Sequence, residues 1–264
     1  MVDSWHCAEG ITTESMPMLN LEFNHFRGLF PLKVFIGGPP VSGKTHFASK
    51  LAQAYGIPHL KIADLLHEAQ QPSHSMYQEI CEKVEELKDA EVAAYEKTRK
   101  KKDPDLDRNT LKPRLPDDIM RRIVRYKISS PACMNKGFIM DGYPRNQADA
   151  QAVFFNEIPE GEESPKQLED FPGFEKDEKI IPQYVVFFEA DDAYLKTRAK
   201  EIQAEPHRQE NHTEAQTDKR LKIYRESNPP LNDPNFTKHL VSLFKSVIGE
   251  EACLLKQLGP LNEG

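Results

Sequence analysis

The chain has 264 residues, of which 29% are charged, and carries a formal net charge of −7 at pH 7. This acidic balance argues against a general nucleic-acid-binding protein, and the longest apolar run, Tyr184 to Phe188, is far too short to span a bilayer. The four cysteines lie far apart and form no C-x-x-C pair, which favours free thiols in a reducing compartment. Residues 1–20 show no basic segment followed by an apolar one, so the sequence predicts a cytoplasmic protein.

A phosphate-binding loop is the first functional motif along the chain. Residues 1–30 are predicted to be a leader, and after them a short apolar strand, a glycine-bounded loop and a helix follow one another. The loop fits the pattern G-x-x-x-x-G-K-[ST], in which backbone N–H groups and the helix N-terminus face phosphate oxygens. The alternative is a glycine-rich turn without a ligand, and the order of strand, loop, Lys-Thr and helix argues against it. The predicted nucleotide-binding residues of the loop are Gly38, Pro39, Pro40, Val41, Ser42, Gly43, Lys44 and Thr45.

Helical segments dominate the next part of the chain. Gly56 ends the first helix, residues 57–62 read as a short strand, and Asp64 can cap the helix that follows. Residues 75–102 are predicted to form a long charged helix with one apolar stripe, and another helix is predicted over residues 119–128.

A second functional motif surrounds the predicted strand at residues 137–141. The strand ends in Asp141, where a carboxylate could hold Mg²⁺ or its water, and Arg145 follows after a turn that Gly142 and Pro144 fix. The planar fork of an arginine suits a phosphate group. A purely structural strand and turn is the alternative.

The last third of the chain contains fewer motifs. Residues 157–179 carry nine acidic residues and three lysines, so a surface loop is predicted there. Residues 181–189 are predicted to form a buried parallel strand, followed by a helix that contains Arg198. A final helix is predicted over residues 236–248, where we identify no chemistry.

These motifs together resemble the adenylate kinases. The phosphate loop, the run Leu51-x-x-x-Tyr55-Gly56-x-x-His59-Leu60 and the run Asp141-Gly142-Tyr143-Pro144-Arg145 carry the resemblance, which covers about residues 31–230. It implies an α/β fold in which a parallel-sheet P-loop NTPase core is flanked by helices. Within a domain spanning residues 31–258, it further implies a helical nucleoside-monophosphate-binding insert at about residues 60–115 and a short lid at about residues 199–218.

The resemblance also implies the chemistry. A kinase of this type transfers the γ-phosphoryl group of MgATP to AMP or another nucleoside monophosphate, with no covalent intermediate. ATP and Mg²⁺ are the expected cofactors, and Thr45 and Asp141 the expected metal-binding residues. Arg198 resembles the arginine that stacks on the donor adenine, and the expected catalytic residues are Lys44, Arg145, Arg208 and Arg220.

The chain departs from the family at the acceptor site. His67 stands where the family has an arginine, and Asp149 stands where it has a glutamine, although Gln147 and Gln151 are close. The expected acceptor-binding residues are Asp64, His67, Gly142, Arg145 and Asp149. Because of these departures, a catalytically weak nucleotide-binding scaffold of an axonemal assembly stays an alternative to the kinase function. A P-loop hydrolase is the third and least favoured alternative.

The leader and the acidic stretch resemble the kinase segment of one isoenzyme that is associated with motile cilia and flagella. In that isoenzyme the segment is part of a longer protein, so this chain is either a fragment or a shorter relative. The expected partners are small-molecule nucleotides and axonemal proteins, with no nucleic acid and no membrane.

His67 allows a direct test of the acceptor site. His67→Arg should tighten AMP binding by about 1–3 kcal/mol, because it restores a charged fork toward the acceptor phosphate. The wild type should bind AMP more tightly as the pH falls toward 6, where an imidazole gains charge. AMP titration calorimetry of both proteins at two pH values measures these effects. Equal AMP affinity in all four titrations would remove His67 from the acceptor site.

Overall fold

A computed structural model of the chain describes residues 18, 19, 22, 23, 26, 30–98, 108, 111, 113, 115–158, 167, 168, 171–203, 214–230, 233 and 239–258. The predicted leader lies almost wholly outside these residues. The chain divides into two compact units, of which the first combines residues 1–61 with 128–264 and the second is residues 62–127. Whether the second unit is the predicted acceptor-binding insert stays a prediction.

Within the described residues, strands and helices alternate along most of the chain. In chain order they are β1 (Leu32–Gly37), α1 (Lys44–Tyr55), β2 (His59–Lys61), α2 (Ile62–Ala69), α3 (Tyr77–Thr98), α4 (Asp117–Ile128), α5 (Pro131–Lys136), β3 (Gly137–Asp141), α6 (Gln147–Phe154), β4 (Phe155–Glu157), β5 (Gln167–Leu168), β6 (Phe171–Lys176), β7 (Tyr184–Ala190), α7 (Asp192–Gln203), α8 (Glu214–Ser227), α9 (Leu240–Ile248) and β8 (Cys253–Leu258).

A five-stranded sheet organises the first unit. Its strand order is β2-β3-β1-β7-β8, and every neighbouring pair is parallel. The register pairs Ile36 of β1 and Lys61 of β2 with Asp141 of β3, so these three strands end at the same edge of the sheet. The chain crosses from β1 to one side and later to the other, and a crevice for ligands forms at the carboxyl ends of strands where this reversal occurs. The predicted fold class, a P-loop core with a parallel sheet, is confirmed.

The sheet has a helix-covered core on each face, as alternation along a buried strand requires. On one face, Val34, Ile36 and Ile139 pack with Ala48 and Ala52 of α1. On the other, aromatic rings pack together: the ring centroids of Phe35 and Phe244 lie 5.3 Å apart, and those of Phe154 and Phe244 lie 6.0 Å apart.

Two C-terminal details differ from expectation. The last helix begins at Leu240 rather than at residue 236, because the Nδ1 atom of His239 accepts a hydrogen bond from the backbone N–H of Val241 at 3.0 Å and caps the helix. Beyond that helix, β8 pairs with β7 and was not predicted.

The acidic stretch is not a plain surface loop, so that prediction is wrong. A small antiparallel sheet with strand order β4-β6-β5 covers part of it. Cross-strand pairing sets Phe155 opposite Lys176 and Glu157 opposite Phe174. The phenylalanines supply the strand-forming residues that the high charge of the segment conceals.

The second unit is helical. Its buried apolar residues come from α2, α3 and α4 and the residues before α4, and are Leu65, Ala69, Ile80, Leu115, Ile119, Ile123 and Val124. Arg122 forms a bidentate ion pair with Glu79, and Lys127 pairs with Glu68. Because these pairs are largely exposed, the apolar contacts contribute most of the stability of the unit.

No helix among the described residues is both long enough and apolar enough to cross a membrane.

The three cysteines among the described residues, Cys81, Cys133 and Cys253, are free thiols, as predicted.

Phe244 tests the aromatic face of the sheet. It is fully buried and stacks against Phe35 and Phe154. Phe244→Ala should lower the free energy of unfolding by about 3–5 kcal/mol in urea denaturation, since it removes a large ring and leaves a cavity. Tyr184→Ala, at an exposed position of β7, is the control and should change stability by less than about 0.5 kcal/mol. Similar losses in the two variants would contradict this account of the core.

Candidate active site

The phosphate loop is held by close backbone packing. A Cβ atom on Gly38 would lie 2.5 Å from the backbone oxygen of Phe188, so no other residue fits there without displacing β7. Val41 adopts a left-handed backbone conformation with φ of 66°, which is strained for a β-branched residue. Strain of this kind costs about 1–3 kcal/mol and clusters at functional sites. The surrounding structure therefore holds the loop in a strained conformation that an isolated turn would not adopt.

Lys44 folds back over this loop. Its Nζ atom donates hydrogen bonds to the carbonyl oxygen of Pro39 at 2.5 Å and to Oγ of Ser42 at 3.4 Å. The backbone N–H of Gly142 donates to the carbonyl of Ile36 at 2.9 Å, and a Cβ atom on Gly142 would lie 3.4 Å from Cε of Lys44. The structure thus brings together two motifs that are about a hundred residues apart in the sequence.

The charges around Lys44 are mostly positive. Burial lowers the pKa of Lys44 to about 8, the carboxylate of Asp141 opposes this shift, and Arg220 and Arg145 add to it. The pKa of Arg220 is lowered by partial burial and by Arg145. Three cations and one carboxylate therefore share one electrostatic environment, which favours a polyanion.

Asp141 and Thr45 have the chemistry expected for Mg²⁺. Asp141 ends β3 and is half-buried, and its Oδ2 atom lies 3.3 Å from Nε2 of His59. Thr45 is exposed on the first turn of α1. The described residues contain no group of three or more His, Cys, Asp or Glu that could hold a metal ion. Mg²⁺ commonly takes one or two protein oxygens and otherwise water and phosphate, so the two side chains fit it.

Arg198 returns to the phosphate loop. It lies on α7 and is half-buried, and a Cβ atom on Gly43 would lie 3.0 Å from its Nη2 atom. Its guanidinium group is therefore beside the start of α1. That it contacts a base stays a prediction.

For the other predicted residues, the structure gives their elements and their burial. Asp64 and His67 are exposed residues of α2 in the second unit. Asp149 is buried on the first turn of α6, and Arg208 lies outside the described residues. Gln147, considered for the acceptor base, donates a hydrogen bond to the carbonyl of His239 at 3.2 Å. The acceptor roles of these residues stay predictions.

Asn228 is a site-supporting residue that the sequence analysis did not find. It is fully buried, its Nδ2 atom donates to the carbonyl of Arg145 at 2.8 Å, and its Oδ1 atom accepts from the N–H of Leu240 at 3.2 Å. One amide thus joins the Arg145 loop to the end of α8, the helix that bears Arg220. The only sequence signal was the run Asn228-Pro229-Pro230, which looks like an ordinary turn.

Arg225 was also missed, and it fixes α8 against the end of β7. Its guanidinium donates hydrogen bonds to Oε1 of Glu189 at 2.6 Å, to the carbonyl of Ala190 at 2.7 Å and to Oδ1 of Asp192 at 3.1 Å. Burial raises the pKa of Glu189, and Arg225 opposes the shift. Because Asp192 begins α7 and Arg225 lies in the last turn of α8, this contact fixes the start of α7 and the end of α8 relative to the sheet.

Known proteins resemble this chain in sequence. A family model described as an AAA domain matches residues 37–111. Adenylate kinase 7 of Macaca fascicularis is 30% identical over 191 residues, which is 70% of this chain and 35% of the relative. Adenylate kinase 7 of Mus musculus is 29% identical over 208 residues, 72% of this chain and 31% of the relative. An adenylate kinase of Thermosipho melanesiensis is 34% identical over 120 residues, 46% of this chain and 44% of the relative.

The chain therefore spans about a third of the length of the two adenylate kinase 7 proteins and less than half of the bacterial protein. The matches confirm the resemblance to adenylate kinases that the sequence motifs indicate.

The lowered pKa of Lys44 predicts proton uptake on nucleotide binding. Near pH 8 the free lysine is half-deprotonated, whereas a bound triphosphate favours its charged form. At pH 9, ATP binding should therefore take up close to one proton, and at pH 6.5 almost none. Isothermal titration calorimetry in buffers of different ionisation enthalpy measures this uptake. Lys44→Ala should abolish it, whereas Lys50→Ala, at an exposed position of the same helix, should keep it. A buffer-independent enthalpy for the wild type at pH 9 would contradict the prediction.

Proposed function

We propose that this adenylate-kinase-like chain is a nucleoside-monophosphate kinase that transfers the γ-phosphoryl group of MgATP to AMP or a related monophosphate. The observation that carries the proposal is the electrostatic interaction of Lys44 with Asp141, Arg145 and Arg220, together with the pairing that sets the ends of β1 and β3 side by side. The similarity to adenylate kinases supports it. Because the chain spans only part of those relatives, the proposal concerns the activity of this chain alone.

The donor side follows from the phosphate loop. Backbone N–H groups of the loop and the N-terminus of α1 bind the phosphates of ATP. Lys44 exchanges its hydrogen bond to Pro39 for a phosphate oxygen, and its charge thereby gains an anionic hydrogen-bond partner in place of a carbonyl. Thr45 and Asp141 would hold a bound Mg²⁺, which neutralises charge on the phosphates.

Transfer itself needs position and charge rather than a covalent intermediate. Arg145 and Arg220 would stabilise the negative charge that spreads over the transferring group, since guanidinium forks match phosphate oxygens. Asn228 holds the backbone of Arg145, so it acts as a positioning residue. Arg208 would join this set from the predicted lid.

The acceptor side departs from the family pattern at two positions. Asp64, His67, Gly142, Arg145 and Asp149 are the expected contacts of the monophosphate. The histidine at position 67 favours the second candidate, a nucleotide-binding scaffold with little or no transfer, because it lacks the fork of an arginine. The two functions differ in whether AMP stimulates ADP formation.

We also propose an association with cilia or flagella and with axonemal proteins. It is supported by the resemblance of the leader and the acidic stretch to the kinase segment of one isoenzyme. Localisation of the tagged chain in ciliated cells tests it, and uniform cytoplasmic staining would contradict it.

The proposed function is tested by coupled measurement of ADP formed from ATP and AMP. The wild type should produce ADP only when both nucleotides are present. Arg145→Ala and Arg220→Ala should each lower kcat by roughly 10³-fold, because each removes a cation beside the transferring group. Lys219→Ala, at an exposed neighbouring position of α8, is the control and should leave the rate nearly unchanged.

Three results would count against the proposal. ADP formation independent of AMP would indicate a hydrolase, and ATP binding without ADP formation would indicate the scaffold. A loss of less than about tenfold in both arginine variants would show that these residues do not face the transferring group.

A further inference from the structure

Phe47 is an aromatic residue in an unusual position. It lies on the first turn of α1, three residues after the phosphate-loop lysine, and its backbone N–H donates to the carbonyl of Gly43 at 3.3 Å. Its side chain remains 47% exposed, although the same helix buries Ala48 and Ala52 beneath it. A single exposed phenylalanine is common on protein surfaces, so the inference depends on what surrounds the ring of Phe47.

The ring of Phe47 is held on one side and open on another. Its centroid lies 5.2 Å from that of Phe188, a buried residue of β7, with an angle of 33° between the rings. The imidazole of His46 meets it edge-on, with centroids 5.6 Å apart. These contacts orient the ring without covering it, so a flat partner can still reach it.

Arg198 lies beside the same glycine as Phe47. A Cβ atom on Gly43 would be 3.0 Å from Nη2 of Arg198, 3.7 Å from its Cζ atom and 3.8 Å from Cε2 of Phe47. A guanidinium plane and an aromatic ring thus border Gly43, the residue immediately before α1. Both groups bind the faces of heteroaromatic rings.

We propose that Phe47 forms, together with Arg198, the surface on which the base of the donor nucleotide stacks. The inference rests on the proposed function in that it takes the triphosphate to bind at Lys44. A nucleotide whose phosphates occupy the loop extends its nucleoside past Gly43, where these two side chains are. Phe47 supplies an apolar face, and Arg198 supplies a planar cation. Because both contact the face of the base rather than its edges, they favour a nucleobase without selecting adenine over guanine.

Binding of two ligands separates the base from the phosphates. In the presence of Mg²⁺, Phe47→Ala should weaken ATP about 10-fold, while inorganic tripolyphosphate, which has no base, should bind within twofold of the wild type. GTP should lose affinity by a factor similar to that of ATP. Phe47→Trp keeps a π-face and should restore ATP binding. Tyr55→Ala removes an exposed aromatic side chain two turns further along the same helix and is the matched control, expected to change neither affinity.

The outcomes are distinct. The role of Phe47 would be overturned if Phe47→Ala changed the ATP affinity by less than twofold. It would also be overturned by equal losses for ATP and tripolyphosphate, which would indicate a distorted phosphate loop. A tryptophan variant that binds ATP as weakly as the alanine variant would also overturn it. If the wild type binds ATP in a Phe47-dependent way but forms no ADP from ATP and AMP, the kinase proposal fails and the base surface stands. A wild type that binds no ATP would overturn both.

Discussion

The parallel pairing of β1 with β3 is the constraint on which the candidate site depends. It sets Ile36 beside Asp141, and one further hydrogen bond, from the N–H of Gly142 to the carbonyl of Ile36, continues the contact past the end of the sheet. A slip of register by one residue would turn the side chain of Asp141 to the opposite face. The pairing is itself held by cores on both faces of the sheet, so the position of a carboxylate relative to Lys44 depends on packing far from the loop.

The site is electrostatically unbalanced without a ligand. Lys44, Arg145 and Arg220 repel one another, and the carboxylate of Asp141 opposes the lowering of the pKa of the lysine. Such an arrangement is tolerated because other contacts fix its parts: Arg225 holds α8 against β7, and Asn228 holds the backbone of Arg145. The packing of the rest of the sheet offsets the free-energy cost of this repulsion. A bound polyphosphate would relieve the repulsion, so its binding would also stabilise the folded protein.

The fold class, the phosphate loop and the strand that ends in Asp141 could be predicted because their signals are local. In the loop from Gly38 to Thr45, consecutive residues determine both the backbone conformation and the binding chemistry. The same is true of the strand that ends in Asp141. Features that depend on distant partners were missed. β8 has a mixed pattern of apolar and polar residues and becomes a strand by pairing with β7. The function of Asn228 depends on the carbonyl of Arg145, far away in the sequence, and the phenylalanines of the acidic stretch were concealed by its charge.

The two hydrogen bonds of Asn228 also make the N–H of Leu240 a distant reporter of the site. That N–H bonds to the same amide that holds the carbonyl of Arg145. An opening motion that draws the end of α8 away would break both bonds, and the N–H of Leu240 would then exchange with solvent deuterium. Its exchange rate would follow the order of the Arg145 loop, although Leu240 itself is a buried apolar residue. Hydrogen exchange at one apolar residue would thus record how often the Arg145 loop and the end of α8 separate.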